Sequence, residues 1–202
     1  MLLVFHNHKC DINVISRGSR NHCPFAVFWG EIMKIAFYFV DEKYIDFLKG
    51  KEILKRGFTT VPNVEYQNRS KFLYGTVLDI NGIKYFVPVS SYDKKQQDNM
   101  LIKISSHKKE KVVGSLRFNY MIPVPDKCLK VFDFKNSIED SARRIFVEKE
   151  YRFCKSKLSS IQKTARKTYE RVITSDNEEL IRNSCDFKLL EQAYNEYIIN
   201  YL

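Results

Sequence analysis

The sequence predicts an α+β domain built on one twisted, mostly antiparallel sheet with helices packed on it. Three observations predict it. Two apolar runs, "KFLYGTVLDI" and "IKYFVPV", flank Asn81-Gly82, a dipeptide suited to a type I′ hairpin because both central residues need positive φ. Further strand-like runs follow, "LIKIS", "GSLRFNYMIPV" and the weaker "CLKVFDF". Beyond Lys135 the hydrophobic period becomes helical, and no internal repeat or Pro-rich linker interrupts the chain.

Taken in order, residues 1–32 differ in character from the rest. They hold three of the four histidines, two of the five cysteines and the only tryptophan. This stretch reads as a leader or an over-called start, dispensable for a functional domain over 33–202 that opens at Met33. "LLVF" is too short for the apolar core of a signal peptide. His6, His8, Cys10, His22 and Cys23 match no standard ligand spacing, so no metal is expected. Ile35 to Val40 reads as a buried strand. Asp41 caps a short helix, "EKYIDFLK", which Gly50 can close. After the hairpin and its neighbouring strands, Leu158, Ile161, Ala165, Tyr169 and Val172 share one face of a long helix. Lys157, Lys163, Arg166, Lys167 and Arg171 lie around the rest of it. A last helix starts after Asp186 and directs Leu189, Leu190, Ala193, Tyr194 and Ile198 to the core.

A chain of 202 residues suffices for one domain with a real core. Lys and Arg number 34 against 24 Asp and Glu, a formal net charge of +10, which favours polyanions such as nucleic acid or an acidic membrane surface. Apolar runs such as Ile35 to Val40 fall far short of the roughly 18 to 20 residues that cross a bilayer, which excludes an integral membrane protein. The scattered cysteines, with no CxxC pair, fit a reducing cytoplasm.

Absences prune the enzyme classes. The chain has no GxxxxGK(S/T) phosphate loop, no GxGxxG, no GxSxG and no HExxH. Beyond Met33 the only histidine is His107, in a polar run, and Asp79, Asp93, Asp126 and Asp133 form no tight carboxylate group in sequence. Hydroxyls, phenols and cations at strand boundaries remain: Tyr66, Arg69, Ser70 and Lys71 before the hairpin, and Ser90, Ser91, Tyr92, Lys94 and Lys95 after it. The outer ends of paired hairpin strands meet, so the two groups become neighbours. Such a set suits a phosphodiester: cations neutralise the phosphate, hydroxyls donate to its oxygens, and an amine crowded by cations has its pKa lowered toward the range where it can accept a proton. An ordinary solvated hairpin end has the same composition. Tyr74, Phe118 and Tyr120 are either base-stacking platforms or core.

Four segments in order, "MKIAFYFVDEKYIDFLK", "YQNRSKFLYGTVLDINGIKYFVPVSS", "GSLRFNYMIPV" and "CDFKLLEQAY", resemble the ToxN/AbiQ family of type III toxin–antitoxin endoribonucleases. The resemblance runs from Met33 to about Tyr194 and leaves the leader without a counterpart. It implies a compact, strongly twisted sheet flanked by helices and a metal-independent RNase without cofactor. Its partner would be a small repeated pseudoknot RNA, which the toxin both processes and is silenced by in a closed toxin–RNA hetero-oligomer. It also implies cleavage through the 2′-hydroxyl to 2′,3′-cyclic phosphate and 5′-hydroxyl ends, and a role in phage defence for some members. The family's YQN-to-lysine motif falls on Tyr66 and Lys71, with the interval longer by one residue so that Arg69 competes for part of the role. Its Thr-Ser pair falls on Ser90 and Ser91. Its following lysine is carried to Lys94, since Asp93 holds the ungapped place. The resemblance thus implies Lys71, Ser91, Ser90 and Tyr66 as catalytic residues and Lys94, Arg69, Lys95 and Arg117 as RNA-binding ones. A basic RNA-binding protein without catalysis is the alternative.

Overall fold

The computed structural model describes residues 36–63, 65, 66, 69, 70, 72–106 and 109–202. The chain enters the sheet at β1 (Phe37–Val40) and turns into helix α1 (Glu42–Arg56). Asp41 caps α1 as the sequence predicts, its carboxylate accepting from the Lys43 N–H at 2.8 Å. The helix does not stop at Gly50. It continues to Gly57, whose φ of 76° gives a left-handed cap. Tertiary contacts explain the extension. Glu52 is fully buried and accepts from the Thr60 N–H (2.7 Å), Thr59 Oγ1 (2.8 Å), Arg56 Nη1 (2.9 Å) and the Asp186 N–H (2.8 Å). An interior glycine costs a helix about 1 kcal/mol, and this satisfied carboxylate offsets it.

A two-residue ladder follows, β2 (Glu65–Tyr66) against β3 (Arg69–Ser70). The predicted hairpin is β4 (Leu73–Ile80) and β5 (Ile83–Ser90), antiparallel about Asn81 (φ 53°) and Gly82 (φ 84°). β6 (Asn99–Ser106) pairs with β7 (Lys109–Arg117).

"GSLRFNYMIPV", read from sequence as one strand, is broken. β7 runs beside the end of β5, a 3₁₀ turn over Phe118–Tyr120 steps away, and β8 (Ile122–Pro123) returns to β5 opposite Phe86 and Tyr85. The break buries Phe118 completely and lets its N–H donate to the Asp98 carbonyl at 2.9 Å. β9 (Leu129–Val131) adds a short edge beside β1, giving the order β6-β7-β5-β4-β1-β9 with β8 off the path on β5.

The second half is helical: α2 (Phe134–Ser137), α3 (Ser141–Ser156), α4 (Leu158–Thr174), α5 (Glu178–Arg182) and α6 (Phe187–Tyr201). On α4 the buried residues are Ile161, Ala165, Thr168, Tyr169 and Val172, while Lys157, Lys163, Arg166 and Lys167 are exposed. On α6 the buried stripe is Phe187, Leu190, Ala193 and Tyr197. The sequence reading placed Leu190 and Ala193 correctly, but Leu189 and Tyr194 are half-buried and Ile198 is exposed. Tyr197 faces inward because its ring meets Tyr44 (4.8 Å) and Phe47 (5.1 Å) of α1. Glu191 ties α6 to the sheet and to α4, accepting from Tyr85 (3.0 Å) and Tyr169 (2.5 Å). Among the described residues no helix is long and apolar enough to cross a membrane.

Candidate functional site

The outer ends of the hairpin do converge. Leu73 stands opposite Pro88, and the Val89 N–H donates to the Phe72 carbonyl at 3.3 Å. Phe72 is the first described residue of this arm; Lys71, like His107, lies outside the described residues. Tyr66 and Arg69 pair as backbone in the β2–β3 ladder, and their side chains lie outside what is described.

On the other arm β5 ends at Ser90, half-buried, and Ser91 is exposed. Ser90 Oγ accepts from the Tyr92 N–H at 3.2 Å, closing a tight serine turn and leaving the hydroxyl proton free to donate elsewhere. β7 backs this turn. Ser90 pairs with Ser115, and the fully buried Ser115 donates to the Tyr92 carbonyl at 2.7 Å. At Gly114 a Cβ would stand 2.3 Å from the Ser90 carbonyl oxygen. Only glycine admits so close an approach of two backbones.

The next loop separates the two lysines that the sequence groups together. Buried Asn99 donates to the Lys94 carbonyl (2.8 Å) and accepts from the Gln96 N–H (2.9 Å). Lys95 Nζ is drawn back onto the loop, donating to the Asn99 carbonyl at 2.6 Å. Lys94 is exposed, and its ammonium has no partner among the described residues. Arg117 is half-buried: its guanidinium lies 5.1 Å from the Tyr92 ring and 4.3 Å from that of Tyr120, and Nη2 donates to Gln96 Oε1 at 3.2 Å. Of the three aromatics considered for stacking, Tyr74 and Phe118 are core and Tyr120 is half-buried.

Two recesses flank the Gln97–Asp98 segment. One, of about 600 Å³, lies between β6 and α4 and carries Lys95, Lys103, Lys167 and Arg171, whose guanidinium pairs with Asp98. The other, of about 390 Å³, is bounded by Arg117 and Tyr120.

The aspartates noted in sequence are dispersed: Asp79 accepts from the Gly82 N–H, Asp126 pairs with Lys84, Asp133 caps α2 and Asp93 is exposed. Among the described residues no group of three or more His, Cys, Asp or Glu is placed to hold a metal ion. Sequence reasoning missed Gly114, Ser115 and Asn99 as supports of the serine turn. A signal existed for the first two, because a Gly-Ser pair inside a strand marks close backbone approach.

Comparison with known proteins gives this geometry its family. Residues 36–195 match the model of the toxin ToxN of type III toxin–antitoxin systems. The chain belongs to the ToxN toxin family. Its enzyme class is that of the endoribonucleases, the name carried by its curated relatives. The endoribonuclease ToxN of Bacillus thuringiensis subsp. kurstaki is 29% identical, over 80% of this chain and 83% of the relative. The endoribonuclease AbiQ of Lactococcus lactis subsp. lactis is 28% identical, over 85% of this chain and 95% of the relative. Among solved structures, a type III toxin selectively inhibited by a non-coding RNA pseudoknot superposes with a TM-score of 0.69 at 28% identity, covering 81% of this chain and 98% of that one. The lactococcal anti-phage endoribonuclease AbiQ gives 0.66 at 26% identity, covering 82% and 99%. The fold this chain shares with these relatives is the α+β arrangement described above.

Proposed function

We propose that this ToxN-family chain is a sequence-selective toxin that cuts RNA without a metal ion or cofactor, using the 2′-hydroxyl of its substrate as nucleophile. The observation that carries the reading is the serine turn. Its hydroxyls stand at a strand end clamped by Gly114 and Ser115, one strand from the arm that continues into Lys71. Lys71 directly precedes Phe72 in the chain. Rigid donors at a strand end are what a pentacoordinate phosphorane requires.

In the reaction the 2′-oxygen attacks phosphorus and loses its proton to a base, and the bond from phosphorus to the 5′-oxygen breaks. The departing oxygen takes a proton, leaving a 2′,3′-cyclic phosphate and a 5′-hydroxyl. Lys71 acts on the 2′-hydroxyl or neutralises the phosphorane. Ser90 and Ser91 donate to the non-bridging oxygens, while Tyr66 and Lys94 orient the flanking nucleotides. Arg69, Lys95 and Arg117 complete the RNA-binding set, Lys95 and Arg117 by shaping the loop and the stack beside the turn.

The pseudoknot inhibition of one relative and the anti-phage role of another extend the reading. A small repeated RNA, processed by the toxin itself, silences this chain in a closed toxin–RNA complex in the cytoplasm, with phage defence as the outcome. The exposed cations of α4 offer that RNA a binding face.

The test is a matched pair of oligonucleotides, one all-ribose and one with 2′-deoxyribose at the cleaved step, incubated with the protein in EDTA. Cutting of the first alone, with both bound, is the expected result. Cutting of both, or a need for divalent metal, overturns the mechanism. If neither is cut although both bind, the chain is a non-catalytic RNA-binding protein.

A further inference from the structure

The two recesses beside the serine turn have opposite chemistry, though they share Gln97 and Asp98. The larger offers four cations against one carboxylate, a lining that suits the sugar-phosphate backbone. The smaller is lined by five carboxamides, on Gln96, Gln97, Asn119, Asn177 and Asn183, with Arg117 as its one cation and Asp98 and Glu179 as its carboxylates. With Asp98 already paired to Arg171 and one arginine set against Glu179, it lacks the excess positive charge that holds a phosphate. Carboxamides, which both donate and accept, complement the edge of a nucleobase, and about 390 Å³ falls within the size range of small-ligand sites.

We propose that the smaller recess seats one unpaired nucleobase of the RNA adjoining the scissile phosphate and reads its hydrogen-bonding edge. The inference rests on the RNA-cleaving reading above and assigns that site's sequence selectivity. Two features place and shape the pocket. Tyr92, whose backbone is held by Ser90 and Ser115, stacks on the Arg117 guanidinium that forms the recess wall. The base pocket is thus one side chain away from the serine turn.

Second, the wall is built before any ligand arrives. Arg117 is fixed between Tyr92 and Tyr120, and Asn119 Nδ2 donates to the Asn183 carbonyl at 2.5 Å. The division of labour follows: the cationic recess holds the strand irrespective of sequence, and the carboxamide recess makes one position selective.

The test separates this inference from the reading beneath it. Gln97 and Asn183 are exposed and lie outside the reacting groups, so Gln97→Ala combined with Asn183→Ala leaves the fold intact. Randomised single-stranded RNA is cut by the wild type and by this double variant, and cut ends are sequenced. In parallel, 2′-deoxy-substituted uncleavable pools are selected for binding, which scores the recess without catalysis. The wild type should enrich one base at one position in both experiments. The double variant should reduce that enrichment at least fivefold while cleavage of sequences lacking the preferred base stays within about threefold of wild type, since the recess acts only on the base it reads. Lys103→Ala with Lys167→Ala should weaken all sequences alike. Equal enrichment in wild type and double variant, or none in the wild-type binding pool, overturns the proposal. Wild-type base enrichment on binding, with no cutting at all, removes the nuclease reading but leaves the base pocket in place.

Discussion

Gly114 of β7 and Ser90 of β5 touch backbone to backbone: a Cβ at position 114 would lie 2.3 Å from the Ser90 carbonyl oxygen. Gly114→Ala must therefore displace the serine turn or shift β7. Overpacking of this kind costs about 1–3 kcal/mol, and the displacement falls on the hydroxyls proposed to hold the phosphate. Cleavage by Gly114→Ala should drop at least tenfold, with far-ultraviolet circular dichroism unchanged. Gly50 is the contrast. It lies inside α1 with nothing within 4 Å of a built Cβ, so Gly50→Ala should raise stability by about 0.5–1 kcal/mol and leave cleavage unaltered. Equal loss of activity in both variants would contradict the clamp.

RNA affinity should fall steeply with salt, because each neutralised phosphate releases counterions at a slope near −0.7 per contact for single strands. Lys103 and Lys167 line the cationic recess. Replacing both by Ala should make the log-log slope shallower by about 1.4. A wild-type slope near zero would remove the basic surface from RNA binding.

Residues 33–202 should suffice for cleavage and toxicity, since the ToxN-family match occupies 36–195. Purified protein beginning at Met33, compared with the full chain in the same cleavage assay, should match it within about twofold. Inactivity of the shorter chain alone would give residues 1–32 a function.

Much of the fold was legible because local rules and tertiary packing agreed. Asn81-Gly82 demanded positive φ and received it, and the apolar face of α4 is the buried one. The misreadings share a cause. Gly50 ends no helix because Glu52, two residues on, collects donors from Thr59, Thr60 and the distant Asp186 backbone. The stripe on α6 is rotated because Tyr197 has aromatic partners on α1. The strand through Phe118 breaks because β8 has a place on β5. Each outcome depends on a residue far away in sequence, which periodicity does not encode. At the site, the residue types were legible while their division was not: Asn99 turns Lys95 back onto the loop and leaves Lys94 to solvent.

Stability should decline as pH rises through neutrality because of Glu150. Burial pushes its carboxyl up to about 7 from the ordinary 4.5, with the Arg143 charge opposing. The native state thus holds a proton that the unfolded chain releases from about pH 4.5 upward. Below that pH both states are protonated and no penalty exists. Above about 7 the native state carries a buried carboxylate, at a cost of up to about 3 kcal/mol. Melting temperatures measured from pH 5 to pH 8 should fall in the wild type, and Glu150→Gln should flatten the decline. A parallel decline in the variant would assign it to other groups.

Lys71→Ala should abolish toxicity and cleavage while leaving the fold intact. The substitution removes a charge beside Phe72, at the end of an arm whose packing is carried by Leu73 and Tyr74, both in the core. A change in thermal stability beyond about 0.5 kcal/mol is therefore not expected. Loss of cleavage exceeding a hundredfold, with RNA affinity down less than tenfold, identifies transition-state stabilisation over simple binding. Lys71→Arg sharpens the result: arginine keeps the charge but stays protonated, so it preserves neutralisation of the phosphorane and eliminates action as a base. Activity retained by Arg assigns Lys71 to charge; activity lost in both variants assigns it to proton transfer. Growth arrest that persists on induction of Lys71→Ala would move the role to Arg69 or Lys94, and Lys94, exposed and without a described partner, would be replaced next.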